Sequence, residues 1–275
     1  MTDLAFSSDV MSVKFDAYVG TLWLDNEPKR NAMGPEFWED LPRAVDALVD
    51  AECRVVVLAA KGPHFTVGLD LKAMGGSTAR IEGESQATAR RRMYNDVKRL
   101  QRAISAVAEC PVPVIAAIHG WCIGGGIDLI CAADIRLASA DAKFSVRETK
   151  IAITADVGTL QRLPKVLNAG HIAELVYTGK DIDAERARSI GLVNDVCADV
   201  DALLLAAYAM AAEIAANSPL AVQGSKAVLQ AGDAMTVEQS LDYVALWNAA
   251  FLPSNDLTEA LTAFMQKRAP TFTGE

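Results

Sequence analysis

Two continuous apolar runs, Val55–Ala60 and Val114–Ile118, do most to restrict how this chain can fold. Each is too short for a globular helix and apolar on both faces, so each reads as a strand buried on both sides. Lys61-Gly62-Pro63 follows the first, and Gly120 with Gly124-Gly125-Gly126 follows the second. Each turn leads towards a helix, which gives a loose structural repeat of strand, glycine turn and helix. That order predicts an α/β core with strands covered by helices.

The rest of the chain fits around these strands. Residues 11–15 and 19–24 read as a hairpin. Pro35 opens a helix to about Asp50, with Phe37, Leu41, Ala44 and Leu48 on one face. Residues 76–87 mix Gly, Ser, Thr and charges and read as a mobile segment before a long helix over 85–109. A helix over 125–132 precedes short strands at 135–138 and 143–146, and helical patterns follow at 158–167, 170–177 and 184–190. Beyond Asp199 only helices are predicted, over 201–217, 219–230, 236–251 and 254–268. The expected division is a core of residues 1–198 and a helical region of residues 199–275 that packs on the core or on a partner subunit.

Composition excludes several classes. The chain has 275 residues, 51% of them hydrophobic and 22% charged, which suits a folded domain. A net charge of -9 argues against nucleic acid as the main partner, and no apolar run is long enough for a membrane helix. The five cysteines have no CxxC spacing and read as reduced core thiols; the three histidines lie too far apart for a metal site. His64 and His119 precede the two turns and read as structural. The N-terminus resembles neither a secretory signal nor a transit peptide, and the C-terminus is not a peroxisomal address. A cytoplasmic protein is expected, with no metal and no cofactor.

The chemistry concentrates after the glycines. The segments His64–Leu71 and His119–Gly126 each follow a buried strand, and each can present free backbone N–H groups at a helix start. Two such donors converging on one oxygen would make an oxyanion hole; two tight turns with no further role are the plain alternative. Asp128 lies three residues after Gly125, on the same helical face. Glu148 follows a strand and would also suit an exposed ion pair with Arg147 or Lys150. Asp156 stands before Val157-Gly158-Thr159, where an aspartate suits a helix N-cap. Together, three acids between 128 and 156 form a plausible acid/base set.

The block Cys122-Ile123-Gly124-Gly125-Gly126-Ile127-Asp128-Leu129, followed by Ala133-Asp134-Ile135-Arg136, resembles the enoyl-CoA hydratase/isomerase (crotonase) superfamily. Pro28–Met33, Phe65–Leu71, Ala155–Lys165, Ser218–Gln223 and Leu241–Asn248 support it, over about residues 10 to 270. Asp128, Glu148 and Asp156 together are similar to the Δ3,5-Δ2,4-dienoyl-CoA isomerases of that superfamily. Hydratases usually have a small residue where Asp156 stands. The resemblance implies a spiral of β-β-α units, a trimer or dimer of trimers, and an acyl-CoA thioester substrate in fatty-acid β-oxidation. It implies oxyanion donors at the N–H groups of Leu69 and Gly125 and proton transfer by Asp156 and Glu148, with Asp128 supporting Glu148. It also implies CoA contacts from Lys29 and Arg30, and from Phe264 and Lys267 of a neighbouring subunit. Two alternatives stand beside it: a 2-enoyl-CoA hydratase using Asp128 and Glu148, and a non-catalytic acyl-CoA-binding protein. Thr149-Lys150 depart from the isomerase pattern, and an inward lysine would lower the Glu148 pKa. Gly75–Arg91 departs from it too, and the resemblance implies that this stretch lines the acyl pocket.

Overall fold

A computed structural model describes residues 2–74 and 83–275. The segment from 75 to 82, which holds most of the stretch expected to be mobile and about half of the stretch expected to line an acyl pocket, lies outside the described residues. Among the described residues, a seven-stranded sheet contains β1 (Thr2–Ser7), β2 (Met11–Asp16), β3 (Val19–Leu24), β4 (Val55–Ala60) and β5 (Val114–Ile118), and ends with β7 (Ile135–Ser139) and β10 (Asp195–Cys197). A three-stranded sheet holds β6 (Trp121–Ile123), β8 (Lys143–Ser145) and β9 (Ile182–Asp183). β1 to β3 pair antiparallel, and β3 through β4, β5 and β7 to β10 pair parallel.

β4 and β5 are apolar throughout because both of their faces are covered. Val56, Leu58 and Ala60 enter one core, against α1 (Pro35–Asp50), α3 (Gln86–Ala108) and α4 (Gly125–Ala132). Their neighbours Val55, Val57 and Ala59 enter a second core, under α8 (Val200–Ala215). Leu203, Ala207, Ala211 and Ala215 of α8 form the stripe that faces the sheet. Four-residue spacing keeps them on one face, and the alanines let the helix lie close.

The predicted Pro35–Asp50 helix, both buried strands and the hairpin form where expected. β1, β6, β9 and β10 were not predicted; three of them have two or three residues, too few to show a period of two. The helical pattern at 158–167 resolves into a four-residue α5 (Thr159–Arg162) and a 3₁₀ turn at Leu163–Lys165, because Pro164 interrupts it. A four-residue α2 (Leu71–Met74) precedes the undescribed segment, and α6 (Ala169–Thr178) and α7 (Ala184–Ser189) follow α5.

The last helices are α9 (Pro219–Gly232), α10 (Val237–Phe251) and α11 (Asn255–Gln266). Thr236 and Gln239 form a reciprocal capping box at the start of α10. Lys226 of α9 is 7% exposed and ties this region to the core. Its Nζ donates to Val112 O at 2.9 Å and to Asp134 Oδ2 at 2.7 Å, and that same oxygen accepts the Val114 N–H. Asp256 anchors the C-terminal segment by accepting from Ser218 Oγ and from the Thr273 and Gly274 N–H groups. No single described helix is long and apolar enough to cross a membrane.

Candidate active site

The two glycine-bearing turns lie side by side. Phe65 N–H donates to His119 O, Thr66 N–H to Trp121 O, and Ile123 N–H back to Thr66 O. The segments thus run parallel, with a bridge between Thr66 and Cys122. Gly68 sits at φ +80°, where a Cβ would meet Ile123 O at 2.6 Å and Gly125 N at 3.5 Å. A side chain there would push the turns apart, so glycine is what permits their contact. Among the backbone hydrogen bonds of the described residues, neither the Leu69 nor the Gly125 N–H donates to a protein oxygen. Gly125 opens α4, where the first N–H groups have no partner within the helix.

Polar contacts around the turns hold this arrangement. Asn31, at φ +54°, accepts the Asn26 N–H and donates to Lys61 O and His64 O, both at 2.9 Å. Thr66 Oγ1 donates to Asn31 O and accepts the Gly68 N–H. Met33 pairs with Leu69, and its Sδ lies 2.7 Å from where a Gly125 Cβ would stand. His64 Nδ1 accepts the Trp121 N–H at 3.4 Å and His119 Nε2 meets Gly62 O at 2.8 Å, so both histidines brace the turns. Asn31 and Thr66 were missed as site-building residues, because their partners are backbone atoms brought close only by the fold.

All three carboxylates gather beside these turns. Asp128, on α4, is fully buried. Its Oδ1 accepts the Thr159 N–H, while Oδ2 has no hydrogen-bond partner. Burial pushes its pKa up to about 7; Thr159 opposes that shift, and the charges of Glu148 and Asp156 add to it. Glu148 begins a 3₁₀ turn, Glu148–Ile151, and its Oε1 lies 3.4 Å from the position of a Gly124 Cβ. Its Oε2 is buried without a partner. Burial raises the Glu148 pKa, and the Asp156 charge raises it further. Asp156 is half-buried, and burial raises its pKa too.

Two local expectations change. Asp156 does not cap a helix: α5 begins at Thr159 with Gly158 as N-cap, and the carboxylate that receives the first N–H comes from Asp128 on another helix. Gly158 at φ +142° turns the chain so that the helix starts too far along for Asp156 to reach. Glu148 pairs with neither neighbour. Arg147 pairs with Asp181, and the exposed Lys150 lies along Gly179.

The residues expected at the CoA end are exposed. Lys29 lies 3.9 Å from Asp70 across the Met33–Leu69 bridge, and Arg30 takes a left-handed conformation beside it. Phe264 is 84% exposed, and Lys267 caps α11 in a left-handed conformation. Within one chain, no contact among the described residues joins Phe264 or Lys267 to the carboxylates. Burial pushes the Cys131 thiol up to about 12 and the Cys122 thiol well above its ordinary value, so neither is a ready nucleophile. Among the described residues, no three His, Cys, Asp or Glu side chains are placed to hold a metal ion.

Two abutting turns with free N–H groups and three carboxylates beside them are the groups that an enolate-forming or acyl-transfer reaction calls on. The sequence profile of the enoyl-CoA hydratase/isomerase family matches residues 14–275, and the chain belongs to that family. A Dictyostelium discoideum protein named Delta(3,5)-Delta(2,4)-dienoyl-CoA isomerase, mitochondrial, is 43% identical over 93% of this chain and 87% of its own length. An Arabidopsis thaliana protein named as the peroxisomal enzyme of the same activity is 40% identical over 96% of each chain. The crystal structure of an enoyl-CoA hydratase from Bacillus anthracis superposes with a TM-score of 0.86 at 32% identity, covering 97% of this chain and 100% of that one. The expectation of a cytoplasmic protein is overturned here, since these isomerase relatives are named mitochondrial or peroxisomal. Acidic composition and the lack of a short address motif report nothing about which compartment a catalytic domain works in.

Proposed function

We propose that this chain is a Δ3,5-Δ2,4-dienoyl-CoA isomerase. The observation that carries the reading is Asp156: a half-buried acid beside Glu148 with no cap to make. The thioester oxygen of a 3,5-dienoyl-CoA accepts the N–H groups of Leu69 and Gly125. These bonds strengthen as negative charge grows on that oxygen, and one such donor contributes about 3 to 4 kcal/mol to lowering the barrier. Asp156 removes a proton from C2, the electrons shift through the diene, and Glu148 delivers a proton to C6. C2=C3 and C4=C5 replace C3=C4 and C5=C6, and no water is added and no cofactor consumed.

The two acids divide this work by their surroundings. An ionised Asp156 pushes the Glu148 pKa up, so a charged base favours a protonated acid next to it. Asp128 supports the pair from behind. Its Oδ1 accepts the Thr159 N–H, which fixes the carboxylate in place beside the pair.

Lys29 and Arg30 contact the CoA nucleotide, joined by Phe264 and Lys267 of a neighbouring subunit. The oligomer forms through the helical region 199–275. A groove of about 1080 Å³ runs among α9, α10 and α11, and Leu241, Leu246, Leu261 and Phe264 stand exposed on those helices. Apolar surface of that extent is covered in a stable assembly, here a trimer or a dimer of trimers.

Incubation with 3,5-dienoyl-CoA of several chain lengths tests the function by the absorbance of the conjugated 2,4-dienoyl product. Hydration of crotonyl-CoA without isomerisation replaces this reading with a hydratase. Tight binding of both thioesters with turnover of neither replaces it with a binding protein.

A further inference from the structure

Helix α3 runs beside the segment that carries Asp156. Gln101 and Ser105 lie four residues apart on it and so share a face. Gln101 Nε2 donates to the Asp156 carbonyl at 2.7 Å, and Ser105 Oγ accepts from Arg162 Nη2 at 3.0 Å. The Gln101 amide is held in that sense. Its Oε1 accepts from Lys98 Nζ at 2.8 Å, and an ammonium can only donate, so the NH₂ end faces Asp156.

This contact fixes one end of a short suspended stretch. At the other end, Asp128 holds the Thr159 N–H. Between them stands Gly158 at φ +142°, a conformation open to glycine that gives the stretch little stiffness of its own. On the N-terminal side, residues 151–154 are exposed. The Asp156 side chain makes no hydrogen bond to another described side chain, so its direction comes from its backbone.

We infer that Gln101 is a positioning residue: its amide holds the backbone from which the Asp156 carboxylate reaches C2 of the substrate. The inference rests on the isomerase reading above. Gln101 touches no reacting atom. Its effect passes through the Asp156 carbonyl, and a carboxylate misplaced by about 1 Å can lose on the order of 100-fold in rate.

Three substitutions test it. Gln101→Leu keeps the shape and removes the donor. The expected result is a fall in kcat of about 10- to 100-fold with KM within about twofold and an unchanged unfolding midpoint. Gln101→Lys restores a donor and is expected to recover part of kcat. Faster exchange of the Val157 and Gly158 amides in Gln101→Leu reports the loosened backbone. Full kcat in Gln101→Leu overturns the inference, as does a loss of kcat that tracks a lowered unfolding midpoint and a raised KM. Gln101→Glu needs no turnover: its added charge is expected to move the Asp156 carboxyl titration to higher pH, read by ¹³C NMR and assigned with Asp156→Asn. An unmoved titration overturns the placement whatever the wild type does. A wild type inactive on 3,5-dienoyl-CoA, with the titration moved, sinks the isomerase reading and leaves the placement standing.

Discussion

The Asp128 carboxylate accepts the backbone N–H of Thr159, so an acid on α4 caps the helix that follows Asp156. One side chain therefore joins the glycine turn to the loop of the proposed base. Asp128 is fully buried and its second oxygen is unpartnered, so the contact is held at a cost in desolvation.

That cost depends on pH. The Asp128 pKa is raised from 3.8 to about 7 in the folded chain, so the folded state binds a proton that the unfolded state releases. Stability is full below the unfolded value, falls as pH rises through this window and levels off above about 7. Asp128→Asn keeps an oxygen for Thr159 and removes the charge. It is expected to unfold at higher temperature than the wild type at pH 8, by up to about 4 kcal/mol in stability, and to lose that advantage near pH 4. Thermal melts across this range check it; a difference that does not vary with pH counts against the raised pKa.

Asp156→Asn is expected to lower dienoyl isomerisation by about 10²- to 10⁴-fold. Because Asp156 caps no helix, its thermal stability should stay within about 0.5 kcal/mol of the wild type. In the wild type, kcat/KM should fall on the acid side as Asp156 gains a proton, with a midpoint above 3.8, and on the alkaline side as Glu148 loses one. Loss of the acid limb in Glu148→Gln rather than in Asp156→Asn would reverse the two roles.

Gly68→Ala places a Cβ 2.6 Å from the Ile123 carbonyl at a φ of +80°. No rotamer relieves a contact with backbone. The variant should lose about 1 to 3 kcal/mol of stability, and kcat should suffer more than KM because the two N–H donors move apart. Urea unfolding and steady-state kinetics on the same preparation measure both.

Lys226→Met removes the cation that Asp134 and the Val112 carbonyl share. Breaking a fully buried pair from one side costs about 3 to 5 kcal/mol, and Asp134, an exposed residue, places this case at the lower end or below it. Adding Asp134→Asn should recover part of the loss. A loss in the double variant equal to the sum of the losses in Lys226→Met and Asp134→Asn, by chemical denaturation, would show that the two residues act independently.

Much of the fold was legible because its signals are local. Pro35 and the apolar face after it mark α1, and the continuous runs at 55–60 and 114–118 mark the buried strands. The site was legible in part. Gly125 and Asp128 share a helix, so their closeness follows from spacing alone. The meeting of Gly68 with Gly125, the Asp128 cap on Thr159 and the Gln101 contact to Asp156 join residues 31 or more positions apart, and no local pattern encodes them. Asp156 shows the reverse: its neighbours spell a cap, and the left-handed turn at Gly158 removes it from the helix.

Each parallel strand sends alternate residues into two separate cores; in β4, Val56, Leu58 and Ala60 point towards the core of α1, α3 and α4, and Val55, Val57 and Ala59 towards α8. The sheet thus acts as a partition between two compartments of side chains. Substitutions in the α8 stripe can tune how tightly the molecule holds together while the carboxylates keep their places. Selection for durability and selection for a new acyl chain can therefore act on opposite sides of the same six residues.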